Sequence, residues 1–162
     1  MRLVKRRRRE CKTNYLRRLK ILKSERPRLV FRRTNKYSTA QYVLSHEAQD
    51  KVEFTFSSKM LLKHGWPEKA KGSLKSVSAS YLTGFLAGKI LLKEKKESPI
   101  VDFGMIQTLH KTKVFAFLKG LIDAGIDVSC KEECFPEENR IKGEHLKNKI
   151  PFNTIKQNLE KI

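Results

Sequence analysis

Residues 1–37 carry sixteen Lys and Arg against two Glu, a net charge of +14, whereas the remaining 125 residues carry twenty basic and fifteen acidic side chains, a net of +5. A charge excess of that density cannot enter a core, because unpaired cations are costly to desolvate. It must lie on a surface and wants a polyanionic partner. The chain is therefore constrained to a basic arm laid on its partner and a mildly basic body that folds behind it. Nucleic acid, an anionic membrane surface and an acidic protein are the candidate partners, and a net charge of +19 in 162 residues favours nucleic acid. With 39% of residues apolar, one packed domain with extensions is feasible.

No apolar stretch reaches the roughly 20 residues of a membrane span. The Arg-rich start has no apolar segment behind it, so it does not read as a secretory signal. An intracellular, soluble chain without a membrane partner is expected. Cys11, Cys130 and Cys134 match no zinc or disulfide spacing, and they read as incidental reduced thiols.

Met1–Arg9 holds too little apolar surface to fold alone and is expected to be disordered without its partner. From Glu10 to Ser24 a helical pattern appears, with Tyr15, Leu19 and Leu22 on a narrow stripe beside Leu16. Arg17, Arg18, Lys20 and Lys23 cover the rest of that helix, and Pro27 bars its continuation. Three short strands come next as an antiparallel meander: Arg28–Thr34, Tyr37–Leu44 and Val52–Phe56. In the second, Ser38, Ala40, Tyr42 and Leu44 share one face; in the third, Val52, Phe54 and Phe56 alternate. Ser57–Ser76 is irregular, with a short helix possible at Lys59–His64. A long helix is expected over Ser76–Lys95, where Gly84 and Gly88 would let it approach the sheet closely. Pro99–Gly104 reads as a buried strand, Lys113–Ala124 as a helix capped by Gly125, and Ile126–Val128 as a further strand. Ile155, Leu159 and Ile162 mark a small terminal amphipathic helix. The fold class is α/β: a mixed sheet with an N-terminal three-stranded meander, helices packed on it, and a basic arm and helix in front. The divisions are 1–26, arm and helix; 27–130, core domain; and 131–162, an extension with a short helix.

The basic arm, together with the helix and first strand behind it, is the strongest functional signal. Arg2, Lys5, Arg6, Arg7, Arg8, Arg9, Lys12, Arg17, Arg18, Lys20, Lys23, Arg26, Arg28, Arg32, Arg33 and Lys36 can neutralise phosphates and release counterions. Tyr15, Phe31, Tyr37 and Tyr42 interleave with this charge, as in proteins that stack looped RNA bases on aromatic rings. Phe31 reads better as core; for Tyr37, at the Asn35-Lys36 turn, RNA contact and packing stand equal. Trp66 reads as an anchor of its own loop. Catalysis finds no support. Asp102 with Asp123 or Asp127 resembles the carboxylate sets that bind magnesium in nucleases, but Asp123 near a helix end and Asp127 beyond Gly125 read more simply as capping and loop residues. The four histidines are scattered, and no phosphate-cradling Gly-rich loop is present. No metal, cofactor or small-molecule substrate is expected. A free-standing nucleic-acid chaperone or architectural nucleic-acid binder is one form such a protein could take, since the arm alone would suffice for it.

An ordered set of segments then resembles one family. Arg26-Pro27-Arg28-Leu29-Val30, Arg32-Arg33-Thr34-Asn35-Lys36-Tyr37 and Ala40-Gln41 are similar to the first strands of the universal 5S-rRNA-binding proteins of the large ribosomal subunit, eighteenth in the bacterial naming. His64-Gly65-Trp66, Ala79–Gly84, Leu86-Ala87-Gly88, Val114-Phe115-Ala116, Leu118-Lys119-Gly120, Asp123-Ala124-Gly125 and Arg140–His145 resemble its archaeal form. The resemblance implies binding to 5S rRNA, contact with the large rRNA, and a cytoplasmic, ribosome-bound place in the central protuberance beside the other 5S-binding protein. By family position it implies RNA contacts from Arg6 to Arg9, Lys12, Tyr15, Arg17, Arg18, Arg28, Arg32, Arg33, Asn35, Lys36 and Tyr37. Two loops depart from the family pattern, Lys75-Ser76-Val77 and Leu109-His110-Lys111-Thr112, and the resemblance carries no contacts over to them. Residues 144–162 have no counterpart in it.

Overall fold

A computed structural model describes residues 4–47, 49–146 and 149–162. Strands β1 (Arg28–Arg33), β2 (Ser38–His46) and β3 (Gln49–Ser57) form the expected antiparallel meander. β4 (Ile100–Asp102) adds to β1 in parallel, giving the order β3-β2-β1-β4. The segment expected to be a buried strand is thus an edge strand, and Ile100 and Val101 are only half-buried. Ile126–Val128 forms no strand; Ile126 instead drops its side chain into the core, at 3% exposure.

One face of the sheet is apolar. Leu29 and Phe31 of β1 align with Tyr42 and Ala40 of β2, and Phe56 of β3 continues the layer. Helices α3 (Val77–Lys93) and α4 (Lys113–Ala124) cover it, with the Phe117 ring stacked 4.4 Å from that of Phe31. α3 is buried almost all round, as an apolar helix without a polar stripe must be. Gly84 and Gly88 admit a close approach, but to α4 rather than to the sheet. A Cβ on Gly84 would lie 2.2 Å from the Phe117 carbonyl oxygen, and one on Gly120 of α4 would lie 2.2 Å from that of Tyr81. Three missing side chains thus let the two helix backbones meet. Gly125 ends α4 with φ +107°, the left-handed cap expected there.

On the far side of α3, the 3-10 helix Ser58–His64 and α6 (Phe152–Glu160) pack a second apolar cluster. Ile155 and Leu159 are fully buried in it, beside Leu61 and Trp66, and Trp66 donates its indole N–H to the Ala70 carbonyl at 3.1 Å. Trp66 therefore anchors its own loop. A second 3-10 helix, Glu68–Ser73, and the short α5 (Glu138–Lys142) complete this side.

β3 corrects one alternation. A bulge at Tyr42/Val43 pairs Tyr42 with Phe54 but Val43 with Val52, leaving Glu53 as the additional residue. Residues on its two sides change faces. Val52 consequently lies on the outer face, 47% exposed, instead of sharing the core face with Phe54 and Phe56.

Candidate nucleic-acid interface

The outer face of the sheet is where the basic segment returns. Strand alternation puts Arg28, Val30 and Arg32 of β1 on this side, with Gln41 and Val43 of β2. The arm and α2 (Tyr15–Leu22) lie over it and enclose a cleft of about 250 Å³ lined by Arg7, Arg17, Arg18 and Ile21. The helix expected from Glu10 to Ser24 is shorter, starting only at Tyr15, and a separate turn lies before it in the arm. Arg6–Arg9 forms one turn, α1, with nothing buried, and Cys11 at φ 51° breaks the path before α2. Asn14 caps α2 by accepting the Arg17 amide at 3.1 Å. The arm expected to be disordered alone thus holds a local helical turn at this point.

Polar contacts tie α2 down more than the expected apolar stripe, in which Tyr15 and Leu22 are only half-buried. Arg18 donates to Asp50 Oδ2 at 3.0 Å, and Arg17 to the Gly104 carbonyl at 3.3 Å. Leu16 and Leu19 face outward, 69% and 53% exposed. Arg28, nominated for RNA contact, is only 4% exposed. Its guanidinium donates to Asp50 Oδ1 at 2.6 Å and to Ser45 Oγ, and it lies 3.6 Å from Asp102 Oδ2. It is an internal pivot: two carboxylates and a hydroxyl occupy the donors that a phosphate would need. Burial raises the Asp50 pKa, but hydrogen bonds from Ser45, Arg28 and Arg18 and the charge of Arg28 outweigh it and hold the carboxyl below its ordinary value.

The remaining nominated side chains divide by what holds them. Arg6 and Lys12 share Glu10, Arg7 donates to Thr13, and Lys5 sits 4.8 Å over the Tyr15 ring. Arg26 donates to the Ser98 carbonyl, while Arg32 donates to the Asp102 carbonyl with its guanidinium against Gly104. Arg8, Arg9, Lys20, Lys23, Arg33, Asn35 and Lys36 are exposed. Arg2 lies outside the described residues. The β1–β2 turn is built by Thr34, whose hydroxyl accepts the amides of Lys36 and Tyr37 and donates to the Tyr37 carbonyl. That geometry displays Asn35 and Lys36 and leans Tyr37, half-buried, against the core.

The carboxylates considered for catalysis do not converge. Asp102 faces Arg28 and Arg32, whereas Asp123 accepts the Tyr81 hydroxyl at 2.6 Å. Among the described residues no cluster of three or more His, Cys, Asp or Glu could hold a metal. Sequence reasoning missed Asp50, which organises two arginines from a hairpin that looked like a plain polar turn. It also found no partner for Cys134, which the fold sets 3.7 Å from His110 Nε2.

Residues 1–101, running from the arm through α2, β1–β3 and α3 into β4, match the family described as ribosomal large subunit proteins 60S L5 and 50S L18. The chain belongs to that family. It is 43% identical over 142 residues to the large ribosomal subunit protein uL18 of Korarchaeum cryptofilum, covering 87% of this chain and 70% of that protein. The uL18 of Methanospirillum hungatei is 38% identical over 146 residues, covering 90% and 81%, and that of Methanothermobacter thermautotrophicus 41% over 144 residues, covering 89% and 73%. Family membership makes this a ribosome-bound structural protein of the cytoplasm, associated with the large subunit and its rRNA, rather than an enzyme.

Proposed function

We propose that the chain binds 5S rRNA and attaches it to the large rRNA in the central protuberance, beside the other 5S-binding protein. The observation that carries this reading is the layering of the basic segment. Arg28, Arg18 and Asp50 lock the sheet and α2 together from within, while the arm, Lys20, Lys23 and the Asn35-Lys36 turn stay exposed. Such a surface can track an RNA backbone with the arm and offer fixed hydrogen-bonding groups from the turn. Phosphate contacts give affinity and base contacts give selectivity.

Competition binding with 5S rRNA and unrelated structured RNAs tests this division. Replacing Arg6 to Arg9 by Gln weakens all of them by similar factors. If about three phosphate contacts are lost, the log–log salt slope becomes shallower by roughly 2 to 3. Asn35→Ala costs more on 5S rRNA than on competitors and leaves the slope unchanged. An arm variant that lost affinity for 5S rRNA alone, with its slope intact, would make the arm the specific reader and overturn the division.

A further inference from the structure

A second cavity, about 580 Å³, opens where the end of β1 meets the starts of α3 and α4. Arg33 and Asn35 line it from the β1–β2 turn, Lys75 from the loop before α3, and Lys113 as the first residue of α4. No carboxylate lines it. Among the described residues, none of these three cations makes an ion pair.

Three like charges gathered without a counter-charge destabilise the free protein, and an anion between them would relieve the repulsion. The strain is visible in Lys113, whose amine is pushed below its ordinary pKa by burial and then by the charges of Arg33 and Lys75. The backbone adds to the positive field. Neither α3 nor α4 has an acidic residue in its first turn. Thr112, the N-cap of α4, spends its hydroxyl on the Leu109 carbonyl at 2.7 Å and leaves the first amides of α4 without a side-chain cap. At the rim, Met105 is 53% exposed and provides an apolar surface.

We propose that this cavity seats a phosphodiester of a bound RNA strand among Arg33, Lys75 and Lys113, with the neighbouring ribose or base against Met105. The proposal rests on the RNA-binding reading above and adds contacts from Lys75, in one of the loops that depart from the family pattern, and from Lys113, just after the other. Arginine supplies a two-pronged donor set for phosphate oxygens, and the lysines act as point charges.

The test uses the full chain, isotope-labelled, with two probes. Inorganic phosphate, titrated against chloride at matched ionic strength, is expected to shift the amides of Arg33, Lys75 and Lys113 saturably. Chloride does not, and K75Q/K113Q loses the response. Against 5S rRNA the double variant loses salt slope by roughly 0.7 to 0.9 for the one phosphate released. Its Tm is equal to or above that of the parent, because repulsion is removed; K161Q, on an exposed position after α6, keeps the parent slope. K75Q alone, at an exposed position, gives the same phosphate reading should Lys113 prove needed for packing. Absence of phosphate-specific shifts in the parent chain, or shifts that survive both variants, would overturn the site. Affinity for 5S rRNA with its full slope retained in K75Q/K113Q overturns the site and leaves the RNA reading standing. Saturable phosphate shifts in a chain without affinity for 5S rRNA overturn the RNA reading and leave an anion site.

Discussion

Arg28 shows what strand alternation can and cannot tell. Its place on the outer face with Arg32 follows from period two, but its burial depends on Asp50, Ser45 and Asp102, which only the folded sheet brings near. From the sequence alone the two arginines are equivalent. Arg28→Met leaves two carboxylates without their buried cation and is predicted to cost about 3 kcal/mol, the low end for a broken buried pair because Asp50 is partly exposed. Urea unfolding measures that loss. The salt slope of RNA binding stays unchanged, since Arg28 releases no counterion. Glycines give a sharper contrast. Gly120→Ala drives a Cβ into the Tyr81 carbonyl, an atom that moves only with the backbone, and is predicted to cost about 3 kcal/mol or more. Gly72→Ala, with open space around it, stays within about 0.5 kcal/mol of the parent in the same experiment.

Among the elements, the legible ones draw their pattern from local chemistry. α4 begins and ends where the sequence predicts, because Gly125 and the Val114, Phe117, Leu118, Leu121 spacing are local signals. α2 was legible as a helix but not in its orientation. Counting apolar residues turns Leu16 and Leu19 inward, whereas Arg17 and Arg18 hold the helix through a carbonyl and a carboxylate from distant segments. Likewise, nothing local announces the β3 bulge, and Gly84 and Gly88 signal a close approach without naming the partner. Two outcomes are expected for α2. L16S and L19S each change stability by no more than about 0.5 kcal/mol in denaturant titrations. Acid loosens the helix: the Asp50 pKa lies lower in the folded chain than in the unfolded one, so its contribution is complete above the unfolded value, about 3.9. That contribution is lost as pH falls through the folded value. The stability gap between the parent and D50N is therefore constant near neutrality and closes below about pH 4. A gap that widened with acid would contradict the ion-pair account of how α2 is held.

At the scale of the whole molecule, the charge asymmetry predicted an arm and a body, and the structure lays the arm over the polar face of the sheet while helices cover the apolar one. The terminal helix illustrates a different limit. Its apolar spacing was evident, but its seat against Trp66 and Tyr81 required the fold, since those partners lie far from it along the chain. Leu159→Ala, fully buried, is predicted to cost about 2 to 5 kcal/mol, read by thermal or urea unfolding. The candidate interface was legible as a composition and as a family resemblance. What composition could not provide was the separation of cations that lock the structure, such as Arg28 and Arg18, from those that stay exposed. Ultraviolet crosslinking in cells, with sequencing of the attached RNA and mapping of the attached peptides, tests the central claim most directly. The predicted result is 5S rRNA as the main crosslinked species, joined to the arm, α2 and the Asn35-Lys36 turn. Crosslinks that showed no 5S enrichment, or that fell mainly on α5 and α6, would contradict it.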